Sequence, residues 1–191
     1  MTLGFYFDGA RCLGCKTCSI ACKDVNDLPL GAQFRRVSDY EAGTFPNARS
    51  WHHSIACNHC EAPACVAACP TGAMHKADDG TVVHDDDACI GCQSCVSSCP
   101  YGAPQYREDL SIVQKCDACA RRRAEGKNPS CVDACAMRAL DFGDLDELAG
   151  KYGDGLVNEL PFLPSANDTN PAMLVKPKDA SLTQNWGEKR Q

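Results

Sequence analysis

The sequence predicts an α+β fold: two interleaved modules of short strands and helices, followed by an extended C-terminal tail. Three observations predict it. Sixteen of the 191 residues are cysteine. The sixteen fall into four groups of four with none left over. Short strand signals flank every group, and small-residue helical stubs lie between them. Aromatic residues are only 7% of the chain, and mean hydropathy is −0.32. So thin an apolar core needs help from cross-links or metals.

Residues 5–7 (Phe-Tyr-Phe) read as the first strand. Cys12, Cys15, Cys18 and Cys22 follow as C-x2-C-x2-C-x3-C. Residues 24–56 link this group to the next, and Trp51, His52 and His53 are candidates to pack over the junction. Cys57, Cys60, Cys65 and Cys69 read C-x2-C-x4-C-x3-C, with Pro70 after them. Residues 73–76 and 81–84, joined through Asp79-Gly80, read as a hairpin. Cys89, Cys92, Cys95 and Cys99 repeat C-x2-C-x2-C-x3-C, with Pro100 after them. Residues 103–106 and 111–114 bracket Arg107-Glu108-Asp109 as a second hairpin. Cys116, Cys119, Cys131 and Cys135 read C-x2-C-x11-C-x3-C, and residues 139–142 are the last strand. The stubs 65–69, 95–99 and 131–135 read as helical, with Pro70 and Pro100 stopping the first two. Asp144 with Glu147 opens a further helix that Gly150 or Gly153 closes. Beyond Asn158, Pro161, Pro164, Pro171 and Pro177 break regular structure.

The first and third groups match the bacterial ferredoxin run that binds [4Fe–4S] clusters; the second and fourth widen one gap. Three cysteines within seven residues let one loop wrap three corners of a cubane. Gly14 and Gly91 allow the tight backbone. The last cysteine of each group faces away from its loop, and in two-cluster ferredoxins it ligates the other cluster. Zinc sites usually present two separated C-x2-C pairs instead. Groups two and three are close in sequence and suit one module, residues 57–100. Groups one and four then form an outer module, residues 1–56 and 101–157, into which the first is inserted. Residues 158–191 read as an arm laid over a partner, with Phe162, Leu163, Leu174, Val175 and Trp186 as anchors.

Residues 1–8 carry no Lys or Arg and too short an apolar run for an export signal, so a disulfide framework is not expected. No apolar run is long enough to span a membrane. A net charge of −6 argues against nucleic acid. No Ser/His/Asp set, phosphate loop or paired-carboxylate signal appears, and no substrate chemistry is read on this chain. Lys16, Lys23, His75, Lys76, Lys115 and Arg138 flank ligands and are candidates to raise cluster potentials. Arg121-Arg122-Arg123 reads as a solvated face or a contact to an acidic patch. His59 reads as a spacer or hydrogen-bond donor.

The order of the groups resembles the iron–sulfur electron-transfer subunit of the dimethyl sulfoxide reductase group of molybdenum enzymes. The telling stretches are Cys12-Leu13-Gly14-Cys15-Lys16-Thr17-Cys18, Cys57-Asn58-His59-Cys60, Cys99-Pro100-Tyr101-Gly102-Ala103-Pro104-Gln105-Tyr106 and Arg138-Ala139-Leu140. The resemblance implies four [4Fe–4S] clusters with crossed ligands. Cys12, Cys15, Cys18 and Cys135 would hold the first, and Cys22, Cys116, Cys119 and Cys131 the second. Cys57, Cys60, Cys65 and Cys99 would hold the third, and Cys69, Cys89, Cys92 and Cys95 the fourth. It further implies a wire from a quinol side, at the cluster of Cys89, to a large molybdopterin-containing catalytic subunit at that of Cys12. In many such complexes a third, membrane-anchored subunit oxidises quinol. The place implied is peripheral to the cytoplasmic membrane, cytoplasmic or outside by co-export with a partner. Ala136 departs from the family's proline after the last cysteine. The rival reading is a free-standing polyferredoxin carrier.

Overall fold

The computed structural model describes residues 2–189. Strand β1 (Leu3–Asp8) is the centre of a three-stranded sheet in the order β8-β1-β9. β8 (Leu140–Asp144) runs antiparallel to it and β9 (Met173–Lys176) parallel. β2 (Arg36–Ala42) and β3 (Arg49–Ile55) form a hairpin, and β10 (Gly187–Lys189) adds to the β2 edge. Two small hairpins complete the sheets: β4 (Met74–Lys76) with β5 (Val82–His84), and β6 (Gln105–Arg107) with β7 (Ile112–Gln114). Both fall where Asp79-Gly80 and the 107–109 turn predict them.

The helices are short. α1 (Thr17–Val25) carries Cys18 and Cys22, α2 (Ala64–Ala67) carries Cys65, and α3 (Ser94–Ser98) carries Cys95. α4 (Ala120–Ala124) precedes α5 (Ser130–Asp133), which carries Cys131. α6 (Leu145–Tyr152) starts at Asp144, whose carboxylate accepts from the N–H groups of Asp146 and Glu147, and Gly153 closes it. The stubs end earlier than the sequence suggests. Cys99 itself is extended, at φ −81° and ψ 114°, because the residue before a proline is pushed out of the helical region.

Several of the residues read as anchors of an arm pack on their own chain, while Trp186 keeps 39% of its surface exposed. Val175 is 1% exposed within the β1 sheet. Phe162 packs on Tyr40 in a tilted pair with ring centroids 4.3 Å apart, and Trp186 lies edge-on to both rings. Nothing local announces the pairing of β9 with β1. A parallel ladder across more than 160 residues is fixed only by tertiary burial.

Candidate iron–sulfur sites

The four cysteine loops share one backbone shape. The residue before the second cysteine is left-handed in each: Gly14 and Gly91 at φ 67°, His59 at 46° and Ala118 at 54°. That turn aims backbone N–H groups at sulfur. His59 N–H donates to Cys57 Sγ at 3.5 Å and Ala118 N–H to Cys116 Sγ at 3.4 Å. The later cysteines are served likewise: Met74 N–H reaches Cys69 Sγ at 3.3 Å, and Ala139 N–H reaches Cys135 Sγ at 3.2 Å. Such bonds favour the thiolate.

The turn after the final cysteine also repeats. A left-handed residue sits three positions on, at Gly72, Gly102 and Arg138. A buried alanine follows each, at Ala73, Ala103 and Ala139. Without a proline, Ala136 still gives the same turn. Arg138 N–H bonds Cys135 C=O at 3.0 Å, as Gly102 N–H bonds Cys99 C=O at 3.1 Å.

None of the sixteen cysteines is in a disulfide. Cys12, Cys15, Cys18 and Cys135 line one narrow cleft with Phe7, Val37 and Leu140. A more open hollow beside Thr2, Glu61 and Asn170 carries no cysteine. Electrostatic neighbourhoods group the rest. Cys22 is influenced by Cys131 and Cys119. Cys65 is influenced by Cys57, Cys99 and Cys60, and Cys95 by Cys69, Cys89 and Cys92. Links between the sets are also present: Cys131 feels Cys18, and Cys116 feels Cys57.

Burial pushes the Cys22 and Cys65 thiols up to about 12 and Cys60 to about 11, and adjacent sulfurs add to the rise. Four such sulfurs become thiolates together only when a cation shares their charge. Among the described residues, no three His, Cys, Asp or Glu side chains converge as a single metal ion needs. At the exposed edge the sign reverses. The Thr17 hydroxyl beside Cys15, 3.4 Å away, holds that thiol below its usual value, and Ser94 does the same for Cys92.

The cations divide. Lys115 is 5% exposed, and its Nζ donates to Cys116 C=O at 2.9 Å and to Val82 C=O. Lys16 pairs with Asp39 at 3.5 Å, and Lys23 binds the Pro29 and Ala32 carbonyls. Arg122 and Arg123 serve the fold, pairing with Asp133 and Asp79 at 2.7 Å each. His59 is fully buried; its ring Nδ1 accepts from Val82 N–H at 3.0 Å rather than donating. Sequence reasoning missed Arg35. It is 2% exposed and stacked over Phe5 at 4.4 Å. Burial opposes its charge, yet Cys131, Cys116, Cys18 and Cys22 together hold its pKa above the ordinary value. An arginine just before a strand reads as surface, and no local signal marks it otherwise.

Residues 50–145 match the 4Fe-4S dicluster domain family, and residues 10–26 match the 4Fe-4S binding domain family. This protein is 52% identical over 182 residues to the B subunit of the anaerobic dimethyl sulfoxide reductase of Escherichia coli (strain K12), covering 91% of this sequence and 88% of that one. It is 48% identical over 183 residues to the corresponding B subunit of Haemophilus influenzae, with the same two coverages of 91% and 88%. It is 39% identical over 143 residues to the thiosulfate reductase electron transfer subunit PhsB of Salmonella typhi, covering 73% and 74%. No helix among the described residues is long and apolar enough to cross a membrane. With its entire cysteine framework inside the matched regions, the protein belongs to the family of dimethyl sulfoxide reductase B subunits, whose members are iron–sulfur electron-transfer rather than catalytic subunits, and it carries four [4Fe–4S] clusters.

Proposed function

We propose that the chain is a four-cluster wire whose ends are the cluster of Cys12 and the cluster of Cys89. One observation carries this reading. Of sixteen cysteines, only Cys15 and Cys92 are exposed. Exposed Leu13 and Met137 share the cleft of Cys15, and exposed Ile90 is two residues from Cys92. The couplings Cys18–Cys131 and Cys116–Cys57 support this order between them.

Ligation is crossed in this reading. Cys135 completes the set of Cys12, Cys15 and Cys18; Cys22 completes that of Cys116, Cys119 and Cys131. Cys99 completes the set of Cys57, Cys60 and Cys65, and Cys69 that of Cys89, Cys92 and Cys95. The neighbourhoods above support it, as do two apolar clusters. One gathers Cys18, Cys22, Cys116 and Cys131 with Phe5 and Leu140. The other gathers Cys65 and Cys95 with Met74, Val82 and Val113. The first cluster also takes in Cys57, with Cys99 packed at its edge, so apolar packing runs on from the proposed outer module into the inserted one.

At the Cys15 end the partner is a molybdopterin-containing catalytic subunit that takes single electrons. At the Cys92 end a quinol-oxidising membrane subunit supplies them, which makes the chain a peripheral member of a membrane complex. The test is reconstitution. The dithionite-reduced chain is expected to be reoxidised by the catalytic subunit's substrate only when that subunit is bound. Cys22→Ser and Cys119→Ser should alter one common EPR signal and Cys15→Ser another. If Cys22→Ser and Cys15→Ser perturb the same signal, each group closes its own cluster and the crossed reading falls.

A further inference from the structure

Arg35 presents a charge with no ordinary partner. Nη1 donates to Ser54 Oγ at 3.1 Å and to Ser54 C=O at 3.4 Å. Nε and Nη2 have no hydrogen-bond partner of ordinary geometry, and the one group within looser hydrogen-bond reach of the side chain is the Cys131 sulfur. None of the ion pairs among the described residues includes it. Its aromatic neighbour Phe5 is neutral. His53, the nearby titratable ring, is held uncharged by burial and by Arg35 itself. A buried cation left in this state is costly unless negative charge faces it.

The negative charge on offer is sulfur. Phe5, over which the guanidinium is stacked, packs in one core with Cys18, Cys22, Cys116 and Cys131. The Arg35 backbone N–H is also directed toward the Cys22 sulfur. Ser54 Oγ, which anchors Nη1, lies 3.4 Å from Cys18 Sγ. One side chain thus touches the surroundings of two cluster sites from a position closed to water.

We propose that Arg35 is the shared counter-charge of the two outer clusters, making both easier to reduce and setting the driving force of the electron step between them. Adding an electron adds negative charge to a site whose ligands are already thiolates. A fixed cation in a dry setting favours that addition, and solvent cannot screen it. The same charge seen through water would do little, as for the exposed lysines near other ligands. The assignment depends on the crossed reading only for which cluster feels more. With crossed ligands, three of the four facing sulfurs belong to the cluster of Cys116, and one to that of Cys12. With self-closed groups the division is two and two.

The test is redox-poised EPR of the full chain in its complex, with iron content measured on the same samples. In Arg35→Gln and Arg35→Met, the ratio of reduced to oxidised cluster at fixed potential should fall at least about tenfold for the Cys116 cluster, which is about 59 mV for one electron. The Cys12 cluster should shift less in the same direction. The signals of the Cys57 and Cys89 clusters should not move. Arg35→Lys, which keeps the charge, should stay close to the parent. If both neutral variants lose the outer clusters while Arg35→Lys keeps them at parent potentials, the charge is required and the proposal stands. It is overturned if the neutral variants leave the potentials unchanged, if all four clusters shift alike, or if Arg35→Lys shifts or loses clusters as Arg35→Gln does. Equal shifts of the two outer clusters would uphold Arg35 and count against crossed ligation.

Discussion

Around Cys18, Cys22, Cys116 and Cys131 the chain packs a sheet core of Phe5, Phe7, Leu140, Met173 and Val175. Around Cys65 and Cys95 the buried apolar company is only Met74, Val82 and Val113. The same cluster loop is therefore set in two different solids. In the outer half, β1 and its neighbours bury enough apolar surface to hold some order of their own. In the inner half, two three-residue hairpins do not, and isolated hairpins are marginal in water. There the inorganic cluster takes the place of side chains. The difference teaches that metal and apolar core are interchangeable supports, and that one chain can lean on them unequally.

Removing the clusters should make the largest difference. Chelation with an oxidant, done anaerobically, should leave no compact protease-resistant state, because binding energy is folding energy where no site is preformed. Hydrogen exchange should show residues 57–114 at near-unfolded rates, with residual protection confined to β8-β1-β9. Uniform loss across both halves would break the comparison.

Next in size is the tail strand. Deleting residues 171–191 removes β9 and should cost the outer clusters their iron while the inner EPR signals persist. Val175→Ala alone should cost about 2 kcal/mol in denaturant unfolding, from lost burial and the cavity left behind. A truncated chain with full iron would return the tail to the role of an arm on a partner.

This strand also marks where the sequence stops being legible. The loops were legible because a cubane imposes spacing on consecutive residues, and spacing survives without coordinates. The small hairpins were legible through Asp79-Gly80 and the 107–109 turn. β9, the β2–β3 hairpin and the place of Arg35 were not. Each is fixed by contacts between distant parts of the chain, such as Val175 with Phe7, or Tyr40 stacked on Trp51 at 5.7 Å. The proline-rich composition around β9 pointed the wrong way.

Gly14 and Gly91 occupy matching positions in the two halves, and their neighbours differ. A methyl group at Gly91 would run into the Ser111 backbone carbonyl, which cannot step aside. At Gly14 it would meet the His52 ring at 2.5 Å, a side chain held by one bond to Asp39. Both alanine variants bear the left-handed cost of about 1–2 kcal/mol. Gly91→Ala should in addition lower iron occupancy at the Cys89 cluster, more than Gly14→Ala does at the Cys12 cluster. Equal losses would mean that the backbone contact is irrelevant.

Acid should probe the outer half through His53. Burial, aided by Arg35, lowers its pKa to about 3, against about 6.5 in the unfolded chain. A depressed folded value means that the unfolded chain takes the proton first. Stability is then full above about pH 6.5 and is lost as pH falls toward 3. His53→Phe, between the rings of Phe7 and Phe162, should reduce that slope in unfolding experiments and change nothing above pH 7. A slope identical to the parent would show that His53 is charged in the fold.

The smallest effect concerns the three turns that follow the last cysteines of groups two, three and four. Two carry proline, at Pro70 and Pro100; the third carries Ala136. The turns nevertheless share the left-handed residue, the buried alanine and, for the last two, the backbone bond to the cysteine carbonyl. Among the described residues the Ala136 N–H donates no backbone hydrogen bond, so proline would remove nothing from the folded state. It would restrict the unfolded chain instead, and such substitutions stabilise by about 0.4–1 kcal/mol where the native backbone already suits them. Ala136→Pro is therefore expected to raise the unfolding midpoint slightly and to leave the EPR signal of the Cys135 cluster where it was. A loss of stability would show that the backbone before residue 136 differs from that of Cys99, and that the shared hydrogen bond conceals a different turn.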